Sequence, residues 1–431
     1  EFFDSHLNCR FNQQDDPDVW KHVYHNGRFT GVFQFTATGA RRFCLAAQPT
    51  TITELAALTA IYRPGPLKAN VHRKYVKAKK NASQIKYDHP VIENVLGPTF
   101  NFVVFQEQFM TLAVELAGFS PGESDKLRKT LVKKSLDTMG KKGGEREAAR
   151  KKFVDGAYEL HGIDKQITEA LWKTIEAFSV YGFNKSHAVS YAIDSYYAAW
   201  LHTHYEKEWL ATILQSENNN PKGLQKSITE IKSYGFKFAA PDVNYSGTEW
   251  EYSDEAQAFV PPLSSVKGVG NTAMEEIMLM RPYTSVSDLL YNDEGAWKHS
   301  KMNKTAFKSL CSIEAFGSLE EIKSGKIKNH RQLLAILTDD KNYETLRKGP
   351  YGLTKTQVAR MRKKMEEPEL LLGKLIDDYK RLPDWNRSEK ILNYVDFTSS
   401  VNNDLVFPPK MIERIKSKNV PSLFDIPAGE K

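Results

Sequence analysis

Cysteine is scarce: Cys9, Cys44 and Cys311 stand far apart in a chain of 431 residues, and none falls in a CxxC or Cys/His spacing. That excludes a disulfide framework and a cysteine-rich zinc site, and it fits a reducing compartment. No apolar run approaches the roughly 18 residues that would span a bilayer, so no membrane partner is expected. The opening Glu1-Phe2-Phe3-Asp4 has neither an initiator Met nor the basic-then-apolar pattern of a signal peptide, and the chain is expected to be a piece of something longer. Also missing are a P-loop, a Ser/His/Asp arrangement, an Asp/Glu pair at two-metal spacing, an internal repeat and a low-complexity tract. No catalytic centre and no metal site is therefore predicted within the chain.

What the chain does have is size and a lopsided charge. At roughly 100–200 residues per domain it should hold two to four domains, folded and soluble. Lys and Arg total 60 against 53 Asp and Glu, a net of +7, yet Ile61 to Lys152 alone holds 19 basic and 9 acidic residues, a net of +10. The remainder is slightly acidic. A positive stretch interleaved with Tyr62, Tyr75 and Tyr87 suits a phosphate polymer or a nucleotide, because each neutralised phosphate releases condensed counterions. A solvated surface charge run is the plain alternative.

Local patterns predict a mainly α, multi-domain fold with small β elements. Phe29 to Phe35 alternates as a short strand would. Apolar residues from Thr53 to Tyr62 predict a helix, stopped by Arg63-Pro64-Gly65-Pro66, where two prolines around a glycine predict a stiff loop. Phe102 to Ala117 has a helical period, and Ser120-Pro121-Gly122-Glu123 reads as a capping box. The helix it opens should run to about Lys134, with Leu127 and Leu131 inward and Lys126, Lys129 and Lys133 on an adjacent stripe. Gly140 to Gly144 reads as a flexible basic loop, and Ile167, Leu171, Ile175 and Phe178 mark another helix.

Ser186 is placed to cap the long helix that follows, on which His187 and Tyr191 share a side just after Lys185. The pair could bind a triphosphate and stack on a base or sugar, although taken alone a capped helix with a buried histidine and a core tyrosine is the plainer reading. A β-rich passage with Trp250, Tyr252 and Phe259 precedes Val266-Lys267-Gly268-Val269-Gly270, which reads as a helix-hairpin-helix turn. Its glycines would let backbone N–H groups meet a phosphate at a helix N-terminus, although a lone GxG also fits a tight interhelical turn. Beyond Leu319 the chain reads as helical and charged, with breaks at Gly349-Pro350, Pro383 and Pro408-Pro409.

Several longer strings occur in order: Gly31-Val32-Phe33-Gln34-Phe35, Leu58 through Pro66, Val104-Phe105-Gln106-Glu107-Gln108, Leu127-Arg128-Lys129 with Lys133-Lys134, and Tyr181-Gly182-Phe183-Asn184-Lys185-Ser186-His187 with Tyr191. Pro241-Asp242-Val243-Asn244, Lys267-Gly268-Val269-Gly270 and Asn303-Lys304 through Ala315-Phe316-Gly317 continue the series. With these motifs the chain resembles, from about Asp15 to Leu319, the alpha subunits of bacterial replicative DNA polymerase III, the C family. The resemblance implies helical polymerase fingers followed by a helix-hairpin-helix clamp-binding domain. Its expected bounds are a palm-to-fingers connection at 1–35, fingers at 36–240, the duplex-binding helix-hairpin-helix region at 241–319, a helical region of unknown role at 320–418 and a tail at 419–431.

In that family three palm aspartates hold two Mg²⁺ ions and lie upstream of the Gly-Val-Phe-Gln motif. The resemblance therefore implies that this chain alone does not polymerise, and that catalytic carboxylates and Mg²⁺ come with missing residues or with a palm-bearing polypeptide, as in a split, phage-type enzyme. It assigns incoming-dNTP contacts to His187 and Tyr191, triphosphate contacts to Arg128, Lys129, Lys133, Lys134 and Lys185, a template-contacting or structural role to Arg63, and duplex-backbone contacts to Lys267, Gly268 and Gly270. Lys129 stands where Arg is commoner, which weakens bidentate contact there. Val420-Pro421-Ser422-Leu423-Phe424-Asp425 resembles the sliding-clamp peptide with Val420 in place of its Gln, and Leu423 and Phe424 would be the apolar anchors. No oligonucleotide-binding barrel is expected after Leu319. The implied partners are primer-template DNA, dNTP, a palm-bearing polypeptide and a sliding clamp, in the cytoplasm of a bacterial or phage-infected cell. A non-catalytic DNA-binding or clamp-adaptor protein on the same fold is the rival expectation.

Overall fold

The computed structural model describes residues 16–132, 141–179, 182–364, 369–398, 406 and 409–418. Lys133, Lys134, Val420, Leu423 and Phe424 lie outside them. Helix accounts for 64% of the structure, and one two-stranded sheet supplies the strands seen among the described residues, as a mainly α class requires. The chain forms two units, the first ending at Trp209 and the second starting at Leu210.

The first unit opens with Pro17–Val19, capped by the Asp16 carboxylate, which passes directly into a π-helical turn, Trp20–His25. Then follow α1 (Thr38–Ala47), α2 (Ile52–Ile61), α3 (Pro64–Lys68), α4 (Val71–Lys80), α5 (Pro90–Leu96) and α6 (Gln106–Glu115). After them come α7 (Pro121–Val132), α8 (Lys141–His161), α9 (Lys165–Ser179), α10 (Lys185–His204) and α11 (Glu206–Ser216). Ala188, Ala192, Ser195 and Ala199 recur at i, i+4, i+7 and i+11 on α10, and this narrow buried stripe lets α10 lie close along α2. Leu55, Leu58 and Ile61 of α2 join Tyr24, Phe29 and Phe35 in the same core. A second core gathers Phe109, Leu112, Leu127, Leu131, Phe153 and Trp172 from α6 to α9. There Gly156 of α8 sits where a Cβ would come 2.3 Å from the Ala117 carbonyl oxygen, so the two segments cross at a point that only glycine allows.

Four local expectations are corrected. Phe29 to Phe35 is a run of turns, because Gly31 (φ +75°) and Gln34 (φ +68°) are left-handed, and the buried apolar residues Phe29, Val32 and Phe35 are spaced by three instead of two. Arg63-Pro64-Gly65-Pro66 starts a helix: Arg63 is the N-cap of α3, and both prolines fall in the first turn, whose amides have no intrahelical acceptor. Lys141 to Gly144 belong to the start of α8 instead of a loop. The cap of α10 is Asn184, whose Oδ1 accepts the His187 N–H at 2.8 Å, two residues before Ser186. The capping box at Ser120 forms as expected: the Glu123 N–H donates to Ser120 Oγ (3.2 Å) and the Ser120 N–H to Glu123 Oε2 (2.8 Å).

The second unit continues with α12 (Pro221–Ser233), then β1 (Glu251–Ser253) paired antiparallel to β2 (Ala258–Val260), with Tyr252 opposite Phe259. Helices α13 (Asn271–Met280), α14 (Val286–Leu290) and α15 (Lys304–Ser312) surround two turns. Beyond them lie α16 (Glu320–Lys323), α17 (His330–Thr338), α18 (Asp340–Leu346), α19 (Lys355–Lys363), α20 (Leu371–Tyr379), α21 (Arg387–Thr398) and α22 (Pro409–Ser417). One apolar core joins Val266, Ile277, Leu310 and Phe316 to Leu333, Ile336, Leu346 and Leu375. Helices beyond residue 320 thus finish the core that the 241–319 segment begins. Lys390 of α21 pairs with Glu314 (2.6 Å) and Asp384 (2.7 Å), which pins that helix to the same body. No helix among the described residues is long and apolar enough to cross a membrane.

Candidate nucleotide and nucleic-acid interface

In the first unit the chain places Phe183, His187 and Tyr191 four residues apart and brings their rings into tilted contact. Ring centroids are 5.3 Å apart for Phe183 and His187, 4.2 Å for His187 and Tyr191, and 5.1 Å for Tyr191 and Phe33. Arg63 closes the row, its guanidinium carbon 4.4 Å from the Phe183 centroid. His187 is exposed, Tyr191 half-buried and Phe33 42% exposed, so the core-histidine alternative does not hold and the row is a surface feature. Its base is fixed by the backbone: the Phe183 N–H donates to Val104 O (3.1 Å) and the Gln106 N–H to Phe183 O (2.9 Å). Arg63 is half-buried, with its Nε–H given to Ala60 O at 2.7 Å, and burial lowers its pKa from the free value.

The carboxylate of Glu107 lies at the N-terminus of α10, accepting from the Lys185 N–H (2.9 Å) and from Asn184 Nδ2 (3.0 Å). An anion of the chain itself thus occupies the positive end of the helix dipole. Beside it a cleft of about 390 Å³ is lined by Thr53, Phe105, Glu107, Gln108 and Lys185. Any phosphate contact from Lys185 would therefore come from its ammonium group, because its amide is already used.

Arg128 and Lys129 are held elsewhere in the unit, on α7. Arg128 Nε and Nη2 donate to Asp125 Oδ1 at 3.0 and 2.9 Å, and Lys129 Nζ lies 2.7 Å from Asp125 Oδ2. Lys129 and then Arg128 hold the Asp125 carboxyl below the usual carboxylate range. Lys129 is exposed and Arg128 and Asp125 are partly so, which makes these ion pairs weak enough for a phosphate to compete with Asp125. Of the other basic residues, Lys79, Arg150 and Lys152 are paired with Glu54, Glu169 and Glu123, whereas Arg73, Lys74, Lys77 and Lys80 form one exposed face of α4. The positive field expected of residues 61–152 is thus partly compensated on α7 and α8 and exposed on α4.

In the second unit Val266 and Val269 are buried and anchor a hairpin that leaves Lys267, Gly268 and Gly270 exposed. Gly270 is the N-cap of α13 and makes no side-chain cap, and a Cβ on it would meet nothing within 4 Å. The Ala273 N–H donates to Gly270 O (3.0 Å), so the amides left for a phosphate at the start of α13 are those of Asn271 and Thr272. The Lys267 N–H is taken, since it donates to Phe397 O of α21 at 2.7 Å. Gly268 has φ +92°, and its missing Cβ would lie 2.4 Å from Ser309 Oγ of α15. Gly268→Ala is expected to cost about 1–2 kcal/mol for the left-handed backbone plus a smaller clash term. Denaturant unfolding of Gly268→Ala in wild-type and Ser309→Ala backgrounds separates the two. An unchanged cost would confine the effect to φ, and no cost in either background would refute both.

Three residues of the site escaped the sequence reading. Phe33 was hidden by the mistaken strand period, and Glu107 by its distance in sequence from α10. Glu276 of α13 is the third: it is buried and accepts from the Ser300 N–H (2.7 Å), the Lys301 N–H (3.0 Å) and the Met302 N–H (2.7 Å). The turn before α15 is thereby filled by the chain's own carboxylate while the turn before α13 stays open.

An exposed aromatic row with cations nearby, and a hairpin with uncapped helix amides, are features that could receive bases and phosphates. Comparison with known proteins sharpens this. Residues 4–159 match the bacterial DNA polymerase III alpha subunit finger domain, and residues 235–325 match the helix-hairpin-helix motif. DNA polymerase III subunit alpha of Aquifex aeolicus is 32% identical over 373 residues, covering 85% of this chain and 31% of that protein. The same subunit of Borreliella burgdorferi is 33% identical over 324 residues (74% and 27%), and that of Neisseria meningitidis serogroup B is 30% identical over 381 (87% and 30%). The chain belongs to the C family of DNA polymerase III alpha subunits and spans under a third of the length of these relatives.

Proposed function

We propose that the chain supplies the fingers and the duplex grip of a C-family replicative polymerase, binding incoming dNTP and primer-template for template-directed DNA synthesis. The observation that carries this reading is the exposed row of Phe183, His187, Tyr191 and Phe33 with Arg63 at one end. Flat faces suit a base or sugar, whichever base arrives, because every base has a π-face. Arg128 and Lys129, together with Lys133, Lys134 and the Lys185 ammonium, take the triphosphate, and Asp125 yields its partners to it. Arg63 keeps Phe183 in place and meets the template side. Gly268 and Gly270 admit the duplex backbone to the α13 amides, with the Lys267 ammonium beside them. The fingers extend over 36–240 and the duplex grip over 241–319, with 320–418 behind it. In the 419–431 tail, Val420, Leu423 and Phe424 engage a sliding clamp in the cytoplasm of a bacterial or phage-infected cell.

Among the described residues the one grouping of His, Cys, Asp and Glu at ligand spacing has two imidazoles and one carboxylate, whereas Mg²⁺ wants an oxygen cage. Family membership is the ground on which metal and catalytic carboxylates are assigned to a palm, on the same or a second polypeptide.

Primer extension by the chain with a palm-bearing polypeptide of the family, primer-template, dNTPs and Mg²⁺ tests the reading. Synthesis is expected only when both are present, and Arg128→Ala should lower dNTP use by about 1–3 kcal/mol while sparing duplex binding. Duplex binding with no detectable dNTP binding, and no synthesis with any palm, would establish the rival: a non-catalytic DNA-binding or clamp-adaptor protein.

A further inference from the structure

A second cluster, apart from the aromatic row and the hairpin, brings together residues 184 positions apart. His22 lies in the π-helical turn, His202 near the end of α10, and Glu206 is the first residue of α11. Each offers one ligand atom, and the three atoms lie within 4.8 Å of one another. His22 Nε2 is 3.2 Å from Glu206 Oε1, and the two imidazole centroids are 5.5 Å apart. His202 is fully buried, while the His22 and Glu206 side chains keep 27% and 22% of their surface. The cluster therefore has a rigid floor and an open side.

We propose that His22, His202 and Glu206 form a zinc site, with water or an anion in the fourth position. Two imidazoles and one carboxylate are a borderline donor set of the kind that holds Zn²⁺ with one position open, and they are too poor in oxygen for Mg²⁺ or Ca²⁺. Tetrahedral ligands about 2.0–2.1 Å from zinc stand roughly 3.3 Å from each other, so separations of up to 4.8 Å must close on binding. The partly exposed His22 and Glu206 make that movement, and His202 is the fixed point. His22 sits in one π-helical turn, a rare widening of the helix that recurs at functional sites. Arg28 also pairs with Glu206 Oε1. The positive charge of Arg28 beside the Glu206 carboxylate favours an anion in the fourth position.

Bound zinc would cross-link the first helical turns to the α10–α11 corner. That junction is already tied by Asp16 Oδ2 to His204 (2.7 Å), by the Asp16 N–H to the Tyr196 hydroxyl (3.1 Å) and by Tyr24 to Ser195 (2.9 Å).

The untagged full chain, stripped with chelator and titrated with Co²⁺ as a spectroscopic stand-in, tests the proposal. The expected result is one Co²⁺ per chain, with the intense d–d bands of a four-coordinate site, displaced by one equivalent of Zn²⁺. Zn²⁺ should also raise the thermal midpoint where Mg²⁺ does not. His22→Ala and Glu206→Gln, both partly exposed and expected to fold, should weaken binding about 100-fold or more, beyond the loss typical of outer-sphere partners. Circular dichroism of each variant confirms its fold. Absence of the bands in the wild-type chain, or undiminished binding by either folded variant, would overturn the site and leave an Arg28–Glu206–His22 ion-pair clasp.

Discussion

Glu276→Ala is expected to destabilise the second unit by about 2–4 kcal/mol, because it leaves the buried Met302 amide, the amides of the exposed Ser300 and Lys301, and the Ser300 hydroxyl without their acceptor. Burial opposes the charge on Glu276, but the N–H groups of Met302, Ser300 and Lys301 outweigh it and hold the carboxyl down at about 2. A carboxyl depressed in the folded state contributes stability that is complete above its unfolded value near 4.5 and fades as pH falls from there towards 2. A shift of that size corresponds to about 3 kcal/mol. Glu276→Gln, which keeps the shape and loses the charge, isolates this contribution. Its deficit against wild type in denaturant unfolding should be largest at neutral pH and should close as pH drops below about 4. A deficit that ignores pH would mean that the charge is irrelevant, and a Glu276→Ala variant as stable as wild type would mean that the turn at 300–302 does not need its carboxylate.

Such a residue shows where sequence reading stops. The capping box of Ser120 and Glu123, the inward Leu127 and Leu131, and the hairpin at Lys267–Gly270 were legible because their partners lie within a few residues or follow a helical period. The helix pattern raised His187 and Tyr191, resemblance to the family added Arg63, and the fold places all three along one row of tilted rings. Phe33 was missed because two left-handed residues turn an apparent alternation into a spacing of three. Glu107 meets Lys185 across 78 residues and the Lys267 amide meets Phe397 across 130, and no local pattern announces such pairs. The same holds for helices beyond residue 320. Their charge made them look separate, whereas Leu333, Ile336 and Leu375 bury into the core of the hairpin helices.

Distance in sequence does not limit the second large effect, which rests on the aromatic row and on the proposed dNTP role. With a palm-bearing polypeptide present, Tyr191→Ala and His187→Ala should each lower kcat/KM for dNTP by about 10–100-fold, about 1.4–2.7 kcal/mol, the range for losing one stacked face. Phe33→Ala should cost less, because Phe33 ends the row and is 42% exposed already. The rings of His187 and Tyr191 lie 4.2 Å apart and support each other, so the double variant should lose less than the product of the single losses. Tyr191→Phe separates stacking from hydrogen bonding: retained activity assigns the effect to the ring face, and a loss equal to that of Tyr191→Ala assigns it to the hydroxyl. Duplex affinity is the control. The hairpin belongs to the other unit, so the row variants should bind primer-template as wild type does. An equal fall in duplex affinity would move His187 and Tyr191 from the nucleotide to the DNA track.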